Sequence, residues 1–185
     1  MGVLFSLLLV INGDLFVAEA TAEATYTVEL SRQALAGYVD DIGLFERNMP
    51  GVVSVAELGA NHYLYLTEKD LPLAGTMQTE FRIEKLTEGD STTVYRSVDS
   101  TAENYMYTRV VITPAGPSAS QMRILVQLRL SRENASEVHW MAPLMGEEFI
   151  SYQMTKDLQS MLETFVERST QDLYERVNPR AVSRE

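Results

Sequence analysis

Asp40–Gly59 reads DDIGLFERNMPGVVSVAELG, and the pattern of the chain changes in the middle of it. Just upstream, Leu35, Tyr38, Val39 and Ile42 recur at helical spacing. Gly43 interrupts them, and LFERN reads as a second short helix. Pro50 has no amide hydrogen and pushes the residue before it towards extended conformations. Gly51 permits whatever turn is needed. Val52-Val53 then begins a strand. A helix-to-strand switch this abrupt marks the point where the chain leaves one layer of a fold and enters another.

Upstream of this stretch, Ala24, Tyr26, Val28 and Leu30 alternate with Thr25, Thr27 and Glu29. That period of two predicts a half-buried strand. Ser31 follows as a helix N-cap. Downstream, from Val52 to Arg132, the chain reads as a series of antiparallel strands. VVSVAEL is followed by a turn at Gly59-Ala60-Asn61, then HYLYLTEK, then a bend at Pro72. MQTEFRIEKL places Met77, Thr79, Phe81 and Ile83 on one face. TTVYRSVDS, ENYMYTRVVIT and QMRILVQLRLS complete the set, with PAGPSAS as a hairpin loop. One apolar and one polar face per strand predicts a sheet covered on one side.

Arg132–Gly146 reads as an irregular connection. From Glu147 to about Val177 there is neither Gly nor Pro, and Phe149, Ile150, Met154, Leu158, Met161, Leu162, Phe165, Val166 and Leu173 form an apolar stripe. Some 30 residues at 1.5 Å each predict a rod of roughly 45 Å. Pro179 bars its continuation, and residues 178–185 read as a tail. The expected class is α+β: one strand, two short helices, about six further antiparallel strands, and one long C-terminal helix. With 185 residues the chain suits one domain over residues 21–177.

Residues 1–20 stand apart. Val3–Ile11 is an apolar run too short to span a bilayer, which needs ~20 residues. It fits the h-region of a secretory signal, and Ala18-Glu19-Ala20 fits the small-residue rule at a cleavage site. No Lys or Arg precedes it. A cleaved signal, an apolar segment packed on the domain, and a start codon placed too far upstream all remain open. Export or a periplasmic location follows from the first; otherwise the expectation is cytoplasmic.

Composition narrows the chemistry. There are no cysteines and two histidines, His62 and His139. Disulfides, thiolate metal sites and cysteine nucleophiles are excluded, and no metal site or cofactor is expected. Acidic residues outnumber basic ones 26 to 15, for a net charge of −11. A phosphate backbone would be repelled, so no nucleic-acid partner is expected. The pairs Asp40-Asp41 and Glu147-Glu148 are adjacent in sequence and do not face each other on a helix. No GxSxG motif and no phosphate-binding glycine loop is present.

The element order resembles the START-like, polyketide cyclase or Bet v 1-like superfamily with its helix-grip fold: a curved antiparallel sheet of six to seven strands wrapped around a long C-terminal helix. SRQALAGYVDDIGLFERNMPGVVSVAELG (Ser31–Gly59) resembles the segment such proteins carry between strands one and two. Within it, MPGVVSVAELG is similar to the corresponding piece of carbon monoxide dehydrogenase G-subunit-like and coenzyme Q-binding START-like proteins. The apolar N-terminal segment departs from the short bacterial members.

The resemblance implies an apolar cavity between helix and sheet, used for lipids, sterols, quinones or polyketides. The residues that the patterns turn inward are its candidate lining: Phe149, Ile150, Met154, Leu158 and Met161 from the helix, and Phe81, Ile83, Met106, Val110, Ile124, Val126 and Leu128 from the strands. The competing reading is that these side chains meet in a solid core. Nine methionines offer an adaptable surface. Arg96 is a candidate polar contact if its face is inward; the solvated alternative is favoured. Tyr63, Tyr65, Tyr105 and Tyr107 are expected as outward cross-strand aromatics, with a cavity donor the lesser alternative. His139 and Trp140 are candidates for the cavity mouth.

Three functions follow as expectations. The first is a non-enzymatic binding or carrier protein for an apolar small molecule. The second is a cyclase/dehydratase-like enzyme in which Arg96, Tyr63 and Tyr105 polarise a carbonyl. The third is a membrane-peripheral accessory or interaction module. The oligomeric state is left open.

Overall fold

The structure is a computed structural model and describes residues 15–71, 75–138 and 141–177. Strand β1 (Phe16–Val28) is followed by α1 (Arg32–Asp40) and α2 (Gly43–Asn48). Six strands come next: β2 (Val52–Gly59), β3 (His62–Leu71), β4 (Gly75–Glu88), β5 (Thr92–Ser97), β6 (Asn104–Pro114) and β7 (Ser120–Arg132). A short 3-10 turn at Ala135–Glu137 leads into α3 (Ala142–Val177). The seven strands form one antiparallel sheet in the order β1-β7-β6-β5-β4-β3-β2.

That order explains the abrupt switch at Met49-Pro50-Gly51. β1 and β2 occupy opposite edges of the sheet. The two short helices therefore carry the chain from one edge to the other across the buried face. Ser31 caps α1 by accepting from the Ala34 amide. The Met49 amide donates to the Phe45 carbonyl as α2 ends. Gly51 takes a φ of 78°, a left-handed conformation that glycine adopts without strain. Its carbonyl then accepts from the Glu68 amide at 2.7 Å, the first bond tying the new strand to β3.

β1 is longer than the alternation from Ala24 suggests. It begins at Phe16, so residues 16–20, grouped above with the N-terminal segment, are strand. Ala18 lies opposite Leu130 and Ala20 opposite Leu128 on β7. A chain cut after Ala20 would lose Phe16, Ala18 and Ala20, all of which are buried. The middle of the inner face of β1 is alanine (Ala18, Ala20, Ala22), and such small side chains let α3 approach the strand closely. The Val17 amide donates to the Glu147 carboxylate at 2.7 Å, and the Glu19 amide donates to Ser151 Oγ at 3.0 Å. These contacts from α3 cover an edge whose free amides would otherwise invite another strand.

α3 has one break. Gly146 has φ 79° and ψ 165°, separating a single turn at 142–145 from the straight rod that begins at Glu147. Leu158, Leu162, Phe165 and Leu173 on this rod are buried against the sheet and the two short helices. A smaller cluster at the other end joins Phe16, Ala18, Val138, Ala142 and Ile150.

Candidate functional site

The inner face of the sheet is solid at one end and hollow at the other. At the solid end, Ile83, Val110, Ile112, Met122 and Ile124 are buried beneath Leu35, Val39, Leu44 and Phe45 of the short helices. Farther along the same strands, the inward side chains meet a cavity of about 440 Å³. That volume lies within the range of small-molecule sites, roughly 300–1,000 Å³. β4 contributes Met77, Thr79 and Phe81, β6 contributes Met106 and Thr108, and β7 contributes Val126, Leu128 and Leu130. From α3 come Met154, Leu158 and Met161.

An aromatic cluster forms the wall between the two ends. The Phe45 ring stacks on Phe165 at 5.5 Å and meets Tyr95 edge-on at 5.1 Å and Tyr65 at 6.2 Å. Phe45, Tyr65 and Tyr95 all face the cavity. The Tyr95 hydroxyl is occupied, donating to the Val39 carbonyl at 3.0 Å. Burial pushes the phenols of both Tyr65 and Tyr95 well above their ordinary range. Both therefore stay neutral and remain proton donors at any physiological pH.

The mouth lies where Met49-Pro50-Gly51 passes β3 and α3. Lys69 on β3 pairs with Asp157 on α3 across it, both side chains being partly exposed. An exposed pair of this kind contributes at most about 1 kcal/mol, so it can open cheaply. Five of the nine methionines (Met49, Met77, Met106, Met154 and Met161) line the cavity. Their unbranched thioethers adapt to occupants of varied shape.

Of the residues read inward from the sequence, Phe81, Met106, Val126, Leu128, Met154, Leu158 and Met161 share the cavity wall. Ile83, Val110 and Ile124 face the same way but lie at the solid end, packed in the core. Ile150 belongs to the smaller cluster on β1. Phe149 is 45% exposed, because the stripe on α3 is wider than the strip that meets the sheet. Arg96 points outward and donates from Nε to Glu84 at 2.8 Å, so it does not reach the cavity. His139 and Trp140 lie outside the described residues.

Tyr63 and Tyr65 are the main correction. The sequence pattern turns both outward, and both are buried. HYLYL offers Tyr on one face and Leu on the other, so its alternation cannot choose a side. The register chooses it: Tyr65 lies opposite Phe81, which the cleaner pattern of β4 turns inward. Phe45 and Met49, with Val52 at the start of β2, escape the sequence reading because they reach the site at or just after the crossover, whose path depends on strand order. The Arg129 guanidinium lies over the Tyr105 ring at 5.2 Å. Tyr105 is no part of the cavity lining.

No family model and no curated protein matches this sequence. Solved structures do match its fold. A START superfamily protein from Mycobacterium smegmatis superposes with a TM-score of 0.57 at 11% identity, over 83% of this chain and 98% of its own. The di-domain ARO/CYC StfQ from the steffimycin biosynthetic pathway gives 0.57 at 12% identity, over 87% of this chain and 52% of its own. Zhui aromatase/cyclase, from a Streptomyces species, gives 0.50 at 14% identity, over 86% and 96%. At these identities the likeness is one of fold. This chain has the START-like helix-grip architecture: a seven-stranded antiparallel sheet gripping a long C-terminal helix.

Proposed function

We propose that the protein binds or carries an apolar or amphipathic small molecule in the cavity between its sheet and α3. The observation that supports this most is the cavity itself: about 440 Å³, walled mainly by methionine, leucine, valine and aromatic side chains, with its charged groups confined to the mouth. Burying some 300 Å² of ligand surface there would yield on the order of 7 kcal/mol at ~25 cal/mol per Å² before association costs are subtracted. The neighbours named as a START superfamily protein and as aromatase/cyclases are in keeping with a cavity that receives small organic molecules.

Native mass spectrometry of protein purified from its own host tests the reading. The expected result is a bound mass that organic extraction removes, together with displacement of an apolar fluorescent probe by the extract. Protein that carries no such mass, and that fails to bind the probe after extraction, overturns it.

A second reading, a cyclase/dehydratase-like enzyme, draws on the Tyr65 phenol in the cavity wall. A buried, neutral phenol can polarise a carbonyl through a hydrogen bond. Glu68, Lys69 and Asp157, the charged residues of the lining, sit at the mouth, so among the described residues this reading has no buried general base to work with. Carriage therefore fits the cavity better than turnover.

A further inference from the structure

We infer that the occupant is a neutral apolar molecule carrying a carbonyl-type oxygen, seated so that this oxygen accepts a hydrogen bond from the Tyr65 hydroxyl. The inference rests on the binding role proposed above and narrows it to a ligand class.

The buried tyrosines supply the argument. Tyr38 donates to Asp172 at 3.0 Å with the Ser169 carbonyl 3.3 Å away, Tyr95 donates to Val39, and half-buried Tyr26 reaches Met122 Sδ. Tyr63, 9% exposed, has no hydrogen-bond partner among the described residues and is no part of the cavity lining. Tyr65 is only 4% exposed, yet its hydroxyl has no hydrogen-bond partner among the described residues. Buried polar groups in folded proteins are nearly always satisfied, and an orphaned donor is costly. Among the described residues, the side-chain atoms both sealed from open space and unpartnered are Arg129 Nε and Ser169 Oγ. The Tyr65 hydroxyl is not one of them, so it touches open space. Tyr65, unlike Tyr63, lines the cavity, and the cavity is the open space that this position in the wall offers its hydroxyl. When an apolar occupant displaces water from the cavity, the group that completes its bonding comes from the occupant.

The charges around the site select a neutral acceptor. Burial, with Tyr95 and Tyr63 close by, keeps the phenol protonated, so it offers a proton and no charge. Among the described residues the one cation at the mouth, Lys69, is already paired with Asp157. Glu68 beside it accepts from Gln78. Two carboxylates against one ammonium, on a chain of net charge −11, disfavour an anionic headgroup. A ketone, quinone or ester oxygen satisfies the phenol without bringing charge into an apolar chamber. A site built around a buried donor also discriminates against the analogue that lacks the acceptor.

The test uses a matched pair of probes, 2-methyl-1,4-naphthoquinone and 2-methylnaphthalene, titrated calorimetrically into the extracted full-length protein. Wild type is expected to bind the quinone about tenfold more tightly than the hydrocarbon. Tyr65→Phe should erase that preference, bringing the affinities for the two probes together. Infrared spectra of the bound, 13C-labelled quinone supply a second measurement on wild type alone: one carbonyl band should shift to lower frequency relative to the free probe. Equal affinity for the two probes, a preference that survives Tyr65→Phe, or an unshifted carbonyl overturns the inference while leaving the carrier role standing. Laurate binding more tightly than the quinone overturns the neutral class. If neither aromatic probe nor laurate binds, the inference fails together with the carrier role.

Discussion

Two stretches of the same strands behave differently. Ile83, Val110 and Ile124 at one end of β4, β6 and β7 are almost fully buried. Phe81, Met106 and Leu128, on the same faces of the same strands, border empty volume. The strands do not differ in kind between these ends. What differs is the layer above. Over the solid end, the crossover inserts Leu35, Val39, Leu44 and Phe45 between α3 and the sheet. Over the hollow end only α3 and the last residues of the crossover, Met49-Pro50-Gly51, reach across, and they do not fill the curve of a seven-stranded sheet. The cavity is thus a product of coverage, and the crossover helices decide where it stops.

The largest way to break that division is to remove its partition. Phe165 is buried and stacks on Phe45. Phe165→Ala should cost about 3–5 kcal/mol in urea unfolding. It should also extend the cavity towards the solid end, so that the protein accepts longer apolar probes than wild type. Unchanged probe length would show that the partition is held by other side chains.

The next test sharpens the contrast by adding the same bulk to each end. Ile124→Phe, in the packed stretch, should lose about 1–3 kcal/mol through overpacking. Leu128→Phe, farther along β7 on the same face, should lose less than about 1 kcal/mol because the ring has room. The ranking should invert for ligand: Leu128→Phe weakens probe binding while Ile124→Phe spares it. Similar destabilisation at both positions would mean that the hollow end is not hollow in solution.

At the junction, Gly51→Ala should cost about 1–2 kcal/mol for its left-handed φ. A Cβ there would sit 3.0 Å from the Glu68 carbonyl oxygen and 3.5 Å from Met161 Cε. Because both neighbours border the mouth, the variant should also change the rate of probe release, measured by stopped-flow displacement.

The smallest effect concerns the far side of the solid end. Burial alone would raise the Asp172 carboxyl, but hydrogen bonds from Arg176, Tyr38 and Asn48 outweigh it and hold the group below its usual range. A depressed folded-state value means stability present above the ordinary pKa near 3.8 and lost as pH falls through the folded value. Thermal unfolding should therefore weaken below pH 4, and Asp172→Asn should be less stable than wild type at pH 7 but flatter in acid. Probe binding should not change, since Asp172 lies outside the cavity lining.

Much of this architecture is legible from pattern. Period-two alternation marks most strands, the Gly- and Pro-free stripe marks α3, and Pro50-Gly51 marks the crossover's end. The start of β1 is obscured because Ala18 and Ala20 resemble a cleavage site as much as a strand. Seven of the twelve candidate lining residues border the cavity, and the rest divide among the solid core, a side cluster and the surface. Arg96 is ambiguous because Val94 shares its parity. The outward assignment of Tyr65 fails because both faces of its strand are apolar.

Local spacing is enough to say which faces turn inward, because side-chain direction follows backbone period one residue at a time. It cannot say which inward residues touch one another and which face a void. That depends on the edge-to-edge path of the crossover and on where Phe45 lands against Phe165, a contact between segments 120 residues apart. A void is made by what is missing above a surface, and no single strand carries that information.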